Sequence, residues 1–373
     1  MAGAPGYPIA SYQPLKLFFQ LFHGSTILAR LPLWLLQAVV PALRPHRKWT
    51  VKQTLMCRLM YALVDMNSRI GITEPISLKP NKEGGRFQVI DPPGADDLKG
   101  PLSTTRASPG KVGATWFPEA PGKDLGSKII VLYIHGGAFV MGDGREEFAG
   151  FAGRNLVTAA KADAVLSLQY RLSGYARRDP FPAALQDALA AYLYLLRELG
   201  VPPSQIVFCG DSAGGNLVIA LLRYIQEFGG DLGTPAPRCA ALFSPWVAPL
   251  SYNVHQSPRA HSDFLPTSFL RWGALSYSAD LEDPASHPYI TPLGHSFKTG
   301  VPLFVNVGTA EIFLGDIEKW VKEMQKVEGN QIDFHKEDAA LHDTFLLGNV
   351  LGFEESALEK MRVLGEFIRN LKV

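Results

Sequence analysis

From Lys128 onward the chain repeats one texture, and that texture constrains the fold more than any other feature. Continuous apolar runs of strand length alternate with helical patterns. The runs are KIIVLYI (128–134), AVLSLQY (164–170), QIVFCG (205–210), CAALFS (239–244), PLFVNVG (302–308) and QIDFHK (331–336). A strand apolar on both faces must be covered on both faces, as in a parallel sheet between two layers of helices. The segments between the runs suit that role. PAALQDALAAYLYLLREL (182–199) opens on Pro182 and is followed by Gly200; the stretches 214–228, 314–327 and 354–371 have the same helical spacing. Alternation over about 245 residues predicts a mostly parallel, doubly wound α/β sheet.

Two regions depart from this rhythm. Residues 81–128 are rich in Gly, Pro and Asp, with short strand candidates at 86–90 and 112–117. About 57 residues separate Ser244 from Val301 where one crossover would suffice, and they hold Trp246, Phe264, Leu265, Phe269, Trp272 and Tyr277. A long excursion from the carboxyl end of a central strand is a common place for a lid. These aromatics can line an acyl or alcohol pocket or pack against one another. The expected division is an apolar N-terminal cap segment (1–80), a catalytic domain from 81–245 and 291–373, and a cap insertion at 246–290.

Composition narrows the function classes. With 36 Lys+Arg against 35 Asp+Glu the net charge is +1, and no basic block stands out, which argues against nucleic acid as the main partner. Apolar residues at 47% and charged residues at 19% exclude disorder. Cys57, Cys209 and Cys239 are too scattered for a metal site or a disulfide framework, and they suit reduced thiols inside a cell.

The stretch 17–43 is strongly apolar, but Arg30, Pro32 and His23 interrupt it and each half is too short to span a bilayer. The basic residues Arg44, His46, Arg47 and Lys48 follow. Three arrangements remain open: a helical part of a substrate-covering cap, with peripheral membrane contact through 17–48; a single-pass anchor; or ordinary core packing.

The chemistry is carried by Gly210-Asp211-Ser212-Ala213-Gly214, which follows one predicted strand and opens a predicted helix. That setting is what a nucleophile elbow requires, with Ser212 pushed up at the helix N-terminus. Asp211 is read as a brace for the elbow. Directly after the strand 128–134 comes His135-Gly136-Gly137-Ala138. Attack by a serine on an ester creates an oxyanion, and each aligned N–H donor is worth about 3–4 kcal/mol. Gly136, Gly137 and the N–H of Ala213 are the expected donors. His135 is read as a structural hydrogen-bonding residue holding that loop, and Arg171 as a loop anchor.

Together with QYRL (169–172), SPW (244–246), HPYITPL (287–293) and the tail LHDTF (341–345), these motifs make the chain from about Lys128 onward resemble the hormone-sensitive-lipase-like branch of the α/β-hydrolases. The apolar N-terminal segment looks most like the fungal members. The resemblance implies an α/β-hydrolase fold with a helical cap built from the N-terminal region and the insertion after SPW. It also implies carboxylic-ester hydrolysis without metal or organic cofactor.

The general base and the acid follow from chain order as well as from resemblance, because in this fold the triad runs Ser, acid, His. His335 lies inside a predicted strand, whereas His342 lies in the loop at the strand's carboxyl end, where the active site belongs, so His342 is the expected base. The family usually shows an aspartate after the strand glycine. Here Gly308-Thr309-Ala310-Glu311 puts Glu311 in that place, with Asp316 as the alternative acid. The expected activity is hydrolysis of a hydrophobic small-molecule ester. A non-hydrolytic cyclisation, condensation or acyl transfer on the same scaffold is the rival, and a non-catalytic binding protein is disfavoured because every triad position is filled.

Overall fold

The computed structural model describes residues 6–122 and 124–371. Eight strands form one sheet: β1 (Phe87–Ile90), β2 (Val112–Phe117), β3 (Ile130–Ile134), β4 (Ala164–Gln169), β5 (Ile206–Asp211), β6 (Cys239–Phe243), β7 (Leu303–Gly308) and β8 (Ile332–Glu337). Their spatial order is β1-β2-β4-β3-β5-β6-β7-β8. The pairs β1–β2 and β2–β4 are antiparallel and all others parallel. The apolar runs are continuous because both faces are buried. Along β3, Ile130, Leu132 and Ile134 join one core, while Val131 and Tyr133 join the core on the opposite face.

Helices cover both faces. α3 (Glu146–Thr158) packs Ala149, Ala152 and Leu156 on one side, together with Met361, Leu364 and Ile368 of the C-terminal helix 354–370. On the other side lie α4 (Ala183–Leu193), extended by a π-helical turn at Tyr194–Glu198, and α5 (Ser212–Leu232). This is the mostly parallel α/β sheet between two helical layers expected from the sequence.

The N-terminal region forms two long helices consecutive in sequence, α1 (Leu15–Val39) and α2 (Val51–Ile70), which pack against each other. α1 runs unbroken through Pro32, which the sequence suggested would interrupt it. Proline removes one backbone hydrogen bond and strains one turn, but packing on α2 carries the helix across. α2 starts at a capping box between Thr50 and Gln53 and stops at Gly71, whose φ of +65° suits a residue without Cβ. α2 also packs on α6 (Thr267–Tyr277), the helix of the insertion. Ser68 Oγ lies 2.7 Å from Ser268 Oγ, which donates to Asp65 Oδ1 at 2.6 Å. The two segments of chain expected to form a cap are therefore joined to each other.

Candidate active site

The loops at the carboxyl ends of β3, β5, β6, β7 and β8 converge at one end of the sheet, as doubly wound folds dictate. β5 ends in Asp211, and Ser212 opens α5 with φ of +49°, a left-handed backbone that a non-glycine residue adopts only under constraint. The tight turn needs glycine beside it: a Cβ on Gly214 would run into the backbone carbonyls of Ile134 and His135. The strained turn lifts the serine toward the loop after β8. There His342 Nε2 sits 2.9 Å from Ser212 Oγ, although 130 residues separate the two in sequence.

Glu311 lies behind the imidazole. Its Oε1 is 3.9 Å from His342 Nδ1, and neither atom has another partner among the described residues. That gap is too long for a hydrogen bond, so Glu311 acts on the ring through its charge. Glu311 Oε2 accepts from Ser244 Oγ at 2.6 Å and from the Gly308 N–H at 3.0 Å, which fixes the carboxylate. Burial pulls the His342 pKa down, but Glu311, then Asp263 and Asp211, outweigh it, and the net shift is upward. Asp316, the alternative acid, lies in the first turn of α7 (Leu314–Gln325) on the wall of a separate surface pocket with Ser251 and Arg259. His335 is likewise elsewhere. It stacks on Phe304 and pairs with Asp333 at 2.9 Å.

The loop after β3 differs from expectation at one position. The Gly136 N–H, expected in the oxyanion hole, donates instead to Asp211 Oδ2 at 2.8 Å. Gly137 (φ +100°) and Ala138 (φ +53°) turn the chain sharply, and a Cβ on Gly137 would strike the Met141 carbonyl. Among the described residues, the N–H groups of Gly137, Ala138 and Ala213 have no protein acceptor. Gly136 is therefore part of the brace, and Ala138 takes its place among the free donors. The sequence could not separate the two, because whichever N–H Asp211 takes depends on the left-handed turn at Gly137.

Asp211 anchors this brace, accepting also from Tyr133 Oη at 2.6 Å. It lies against a second fully buried carboxyl, Asp343. Burial raises both, Asp343 far above the usual carboxylate range, with the Asp211 charge adding to the rise. Of the pair, Asp343 is the carboxyl whose protonated form the surroundings favour more strongly.

A model of the alpha/beta hydrolase fold matches residues 131–346. An acetyl-hydrolase of Streptomyces hygroscopicus is 34% identical over 245 residues, covering 64% of this chain and 75% of that protein. Esterase LipU of Mycobacterium tuberculosis is 30% identical over 253 residues, covering 66% and 79%. Among solved structures, the esterase EstE5 soaked with p-nitrophenyl butyrate superposes with a TM-score of 0.59 at 25% identity, over 84% of this chain and 97% of its own. The chain belongs to the α/β-hydrolase fold family. Within it, the motifs around Gly136 and Ser212 put the chain in the hormone-sensitive-lipase-like branch.

As in any α/β-hydrolase, the catalytic atoms need a fixed frame; of the supports here Asp263 had no motif to announce it, and Ser244 lay in the SPW motif without its role being readable. Ser244, after β6, has φ of +44° and bridges Glu311 and the N–H of Asp343 (3.4 Å). Asp263, from the insertion, accepts N–H bonds from Phe264, Ile312 and His342. Burial pushes its pKa up to about 6, opposed by His342. His135 stacks on Tyr170 with ring centroids 4.4 Å apart, and its Nδ1 lies 2.7 Å from the Gly136 carbonyl oxygen. Burial lowers its pKa to about 4, so it is neutral and structural. Arg171 forks onto Asp187 and reaches the Ser108 carbonyl, anchoring loops away from the nucleophile.

The insertion closes over the site. Gly273 of α6 lies directly on the Ala138 carbonyl, Phe139 stacks on Tyr277 at 3.8 Å, and the rings of Phe313 and Phe264 stand 5.0 and 6.0 Å from His342. Ser212 is only 6% exposed as a result. A cavity of about 260 Å³ opens between the oxyanion loop (Val140–Asp143) and cap residues that include Ile72, Ile76 and Trp272.

Proposed function

We propose that this protein cleaves the carboxylic ester of a small hydrophobic molecule through a Ser212–His342–Glu311 triad and a covalent acyl-enzyme. Carboxylic-ester hydrolysis is the activity class of the chain. The observation that carries the finer reading is the 2.9 Å approach of His342 Nε2 to a serine held at φ of +49° on an elbow. In the first step His342 takes the Ser212 proton as Oγ attacks the carbonyl carbon. The carbonyl oxygen becomes an oxyanion facing the N–H groups of Gly137, Ala138 and Ala213. His342 returns the proton to the leaving alcohol. It then takes a proton from water as the water oxygen attacks the acyl carbon; the bond from that carbon to Ser212 Oγ breaks, the carboxylic acid leaves, and His342 returns the proton to Oγ.

Glu311 supports the imidazolium that forms at each proton transfer, and its charge already raises the His342 pKa in the resting enzyme. A hydrophobic substrate is supported by the aromatic cover of Phe139, Trp246, Phe264, Phe313 and Tyr277, all buried around the site.

A panel of p-nitrophenyl esters of graded acyl length, run beside a serine-directed phosphonate probe, tests this reading. Labelling with turnover that favours apolar acyl groups supports it. Labelling without turnover of any ester, but with acyl transfer to an added alcohol or amine, overturns hydrolysis in favour of transfer.

A further inference from the structure

α1 exposes what a water-soluble surface normally covers. Its Phe18, Leu21, Phe22, Leu28, Leu33 and Leu36 side chains are each more than half exposed. At 3.6 residues per turn these six positions fall within an arc of about 140°, along one side of the helix. The opposite side, including Trp34 and Ala38, is packed, and His23 Nε2 lies 3.2 Å from the Ala62 carbonyl oxygen of α2. Among the described residues after Leu43, the only large apolar side chains exposed are Val51, Leu63, Leu78, Val89 and Val350. The apolar surface is therefore concentrated on one helix, and contiguous exposure of that size marks a contact site.

Charge says what the contact is. The first Asp or Glu in the chain is Asp65, whereas Lys16, Arg30, Arg44, Arg47, Lys48, Lys52 and Arg58 all precede it, in a protein of net charge +1. Lys48 pairs with Asp338, and Arg44 and Lys52 bond backbone carbonyls, while Lys16, Arg30 and Arg47 have no carboxylate partner among the described residues. A second copy meeting this one through the same face would bring like charges together. No helix among the described residues is long and apolar enough to cross a membrane. A long helix with one apolar face, unable to span and flanked by cations without carboxylate partners (Arg30 bonds Thr26 and lies over the Trp34 ring), suits the plane of a lipid surface.

We propose that α1 docks in the interface of an anionic phospholipid membrane, with the Phe18–Leu36 side toward the acyl chains and Lys16, Arg30 and Arg47 reaching the headgroups. α1 packs on α2, α2 on α6, and α6 on Ala138 of the oxyanion loop, so the docked surface is continuous with the cover of the active site. The docking does not depend on the ester chemistry and is tested without it.

The test is flotation of the full chain with vesicles of phosphatidylcholine alone and of equal parts phosphatidylcholine and phosphatidylserine. The protein should rise with the anionic vesicles, bind the neutral ones at least about tenfold more weakly, and be released by salt. The Phe18→Glu, Phe22→Glu double variant should stay unbound while keeping the parental circular dichroism and unfolding midpoint, because both side chains are exposed. If that variant fails to fold, Arg30→Glu with Arg47→Glu replaces it and should lose the preference for anionic vesicles. A parent that floats with neither vesicle, or equally with both, overturns the proposal. So does a concentration-dependent dimer, lost in the double variant, from a parent that binds no vesicles, since that assigns the face to a second copy.

Discussion

Asp263 holds His342 by its backbone: Oδ1 accepts the His342 N–H at 3.2 Å, and Oδ2 of the same carboxyl accepts the Ile312 N–H at 2.8 Å. Ile312, which adjoins Glu311, and His342 are thus pinned to one side chain of the cap insertion. Ser262 Oγ donates to the Ala310 carbonyl at 2.8 Å and Arg259 Nε to the Thr309 carbonyl at 2.9 Å, so three residues of the insertion strap the acid-bearing loop.

Replacing Asp263 with Ala should leave buried N–H groups without an acceptor, at a cost of about 1–3 kcal/mol each. Misplacement of the base and acid should lower kcat by up to about 100-fold with a smaller change in KM. Asn, which keeps one acceptor oxygen, should recover part of both losses. Denaturant unfolding and steady-state kinetics on the two variants check this, and equal defects in KM and kcat would contradict a positioning role.

Glu311→Gln should reduce turnover by about 10⁴, the loss seen when the orienting carboxylate of a related triad becomes an amide. Asp316→Asn should stay within a few-fold of the parent, because a carboxylate in the first turn of a helix contributes only about 0.3–1 kcal/mol. Parallel kinetics of the two variants on one ester read the difference directly.

The acid limb of kcat/KM should lie above pH 6.5, the ordinary value for histidine, because the His342 pKa is raised. Only the neutral imidazole can take the Ser212 proton, so activity is present above that pKa and is lost as pH falls through it. Glu311 is a leading source of the rise, and Glu311→Gln should move the limb to lower pH. Asp263 and Asp211 supply the remaining charges, so the limb should shift rather than vanish. A pH–rate profile of parent and variant makes the measurement.

The two buried carboxyls behind the elbow should behave oppositely. Burial and the neighbouring Asp211 charge favour the protonated form of Asp343, so its neutral isostere in Asp343→Asn should fold with near-parental stability. Asp211→Asn exchanges the charged acceptor of Tyr133 and Gly136 for a neutral one, and hydrogen bonds to a charged group are worth about 1.5–3 kcal/mol each. Thermal unfolding of both variants, with turnover as a second readout, distinguishes them.

Most of the sheet was legible because burial on both faces writes strands as unbroken apolar runs. β5, buried throughout, falls within one residue of the segment read from sequence, as does the edge strand β8, although only Glu337 of β8 is buried. α3 was not legible: its buried positions are Ala149, Gly150, Ala152, Gly153 and Leu156, so the face toward the core carries little hydrophobic signal. Pro32 and Arg30 made α1 look broken because sequence reasoning counts the lost backbone bond but cannot count the packing on α2. Ser212, His342 and Glu311 were singled out from local motifs in chain order, and the fold brings the three side chains together. Asp263 and Ser244 were not, because each acts through contacts to segments 49 to 99 residues away and neither sits in a motif that demands its side chain.

The central claim is that Ser212 is the covalent nucleophile activated by His342. Its most direct measurement is the kcat of purified Ser212→Ala on the best ester of the panel, with phosphonate labelling mapped by peptide mass spectrometry. The account predicts a single adduct on Ser212 in the parent, none in the variant, and a loss of turnover on the order of a millionfold. A folded Ser212→Ala protein that keeps more than a few per cent of the activity, or an adduct on another residue, would contradict it.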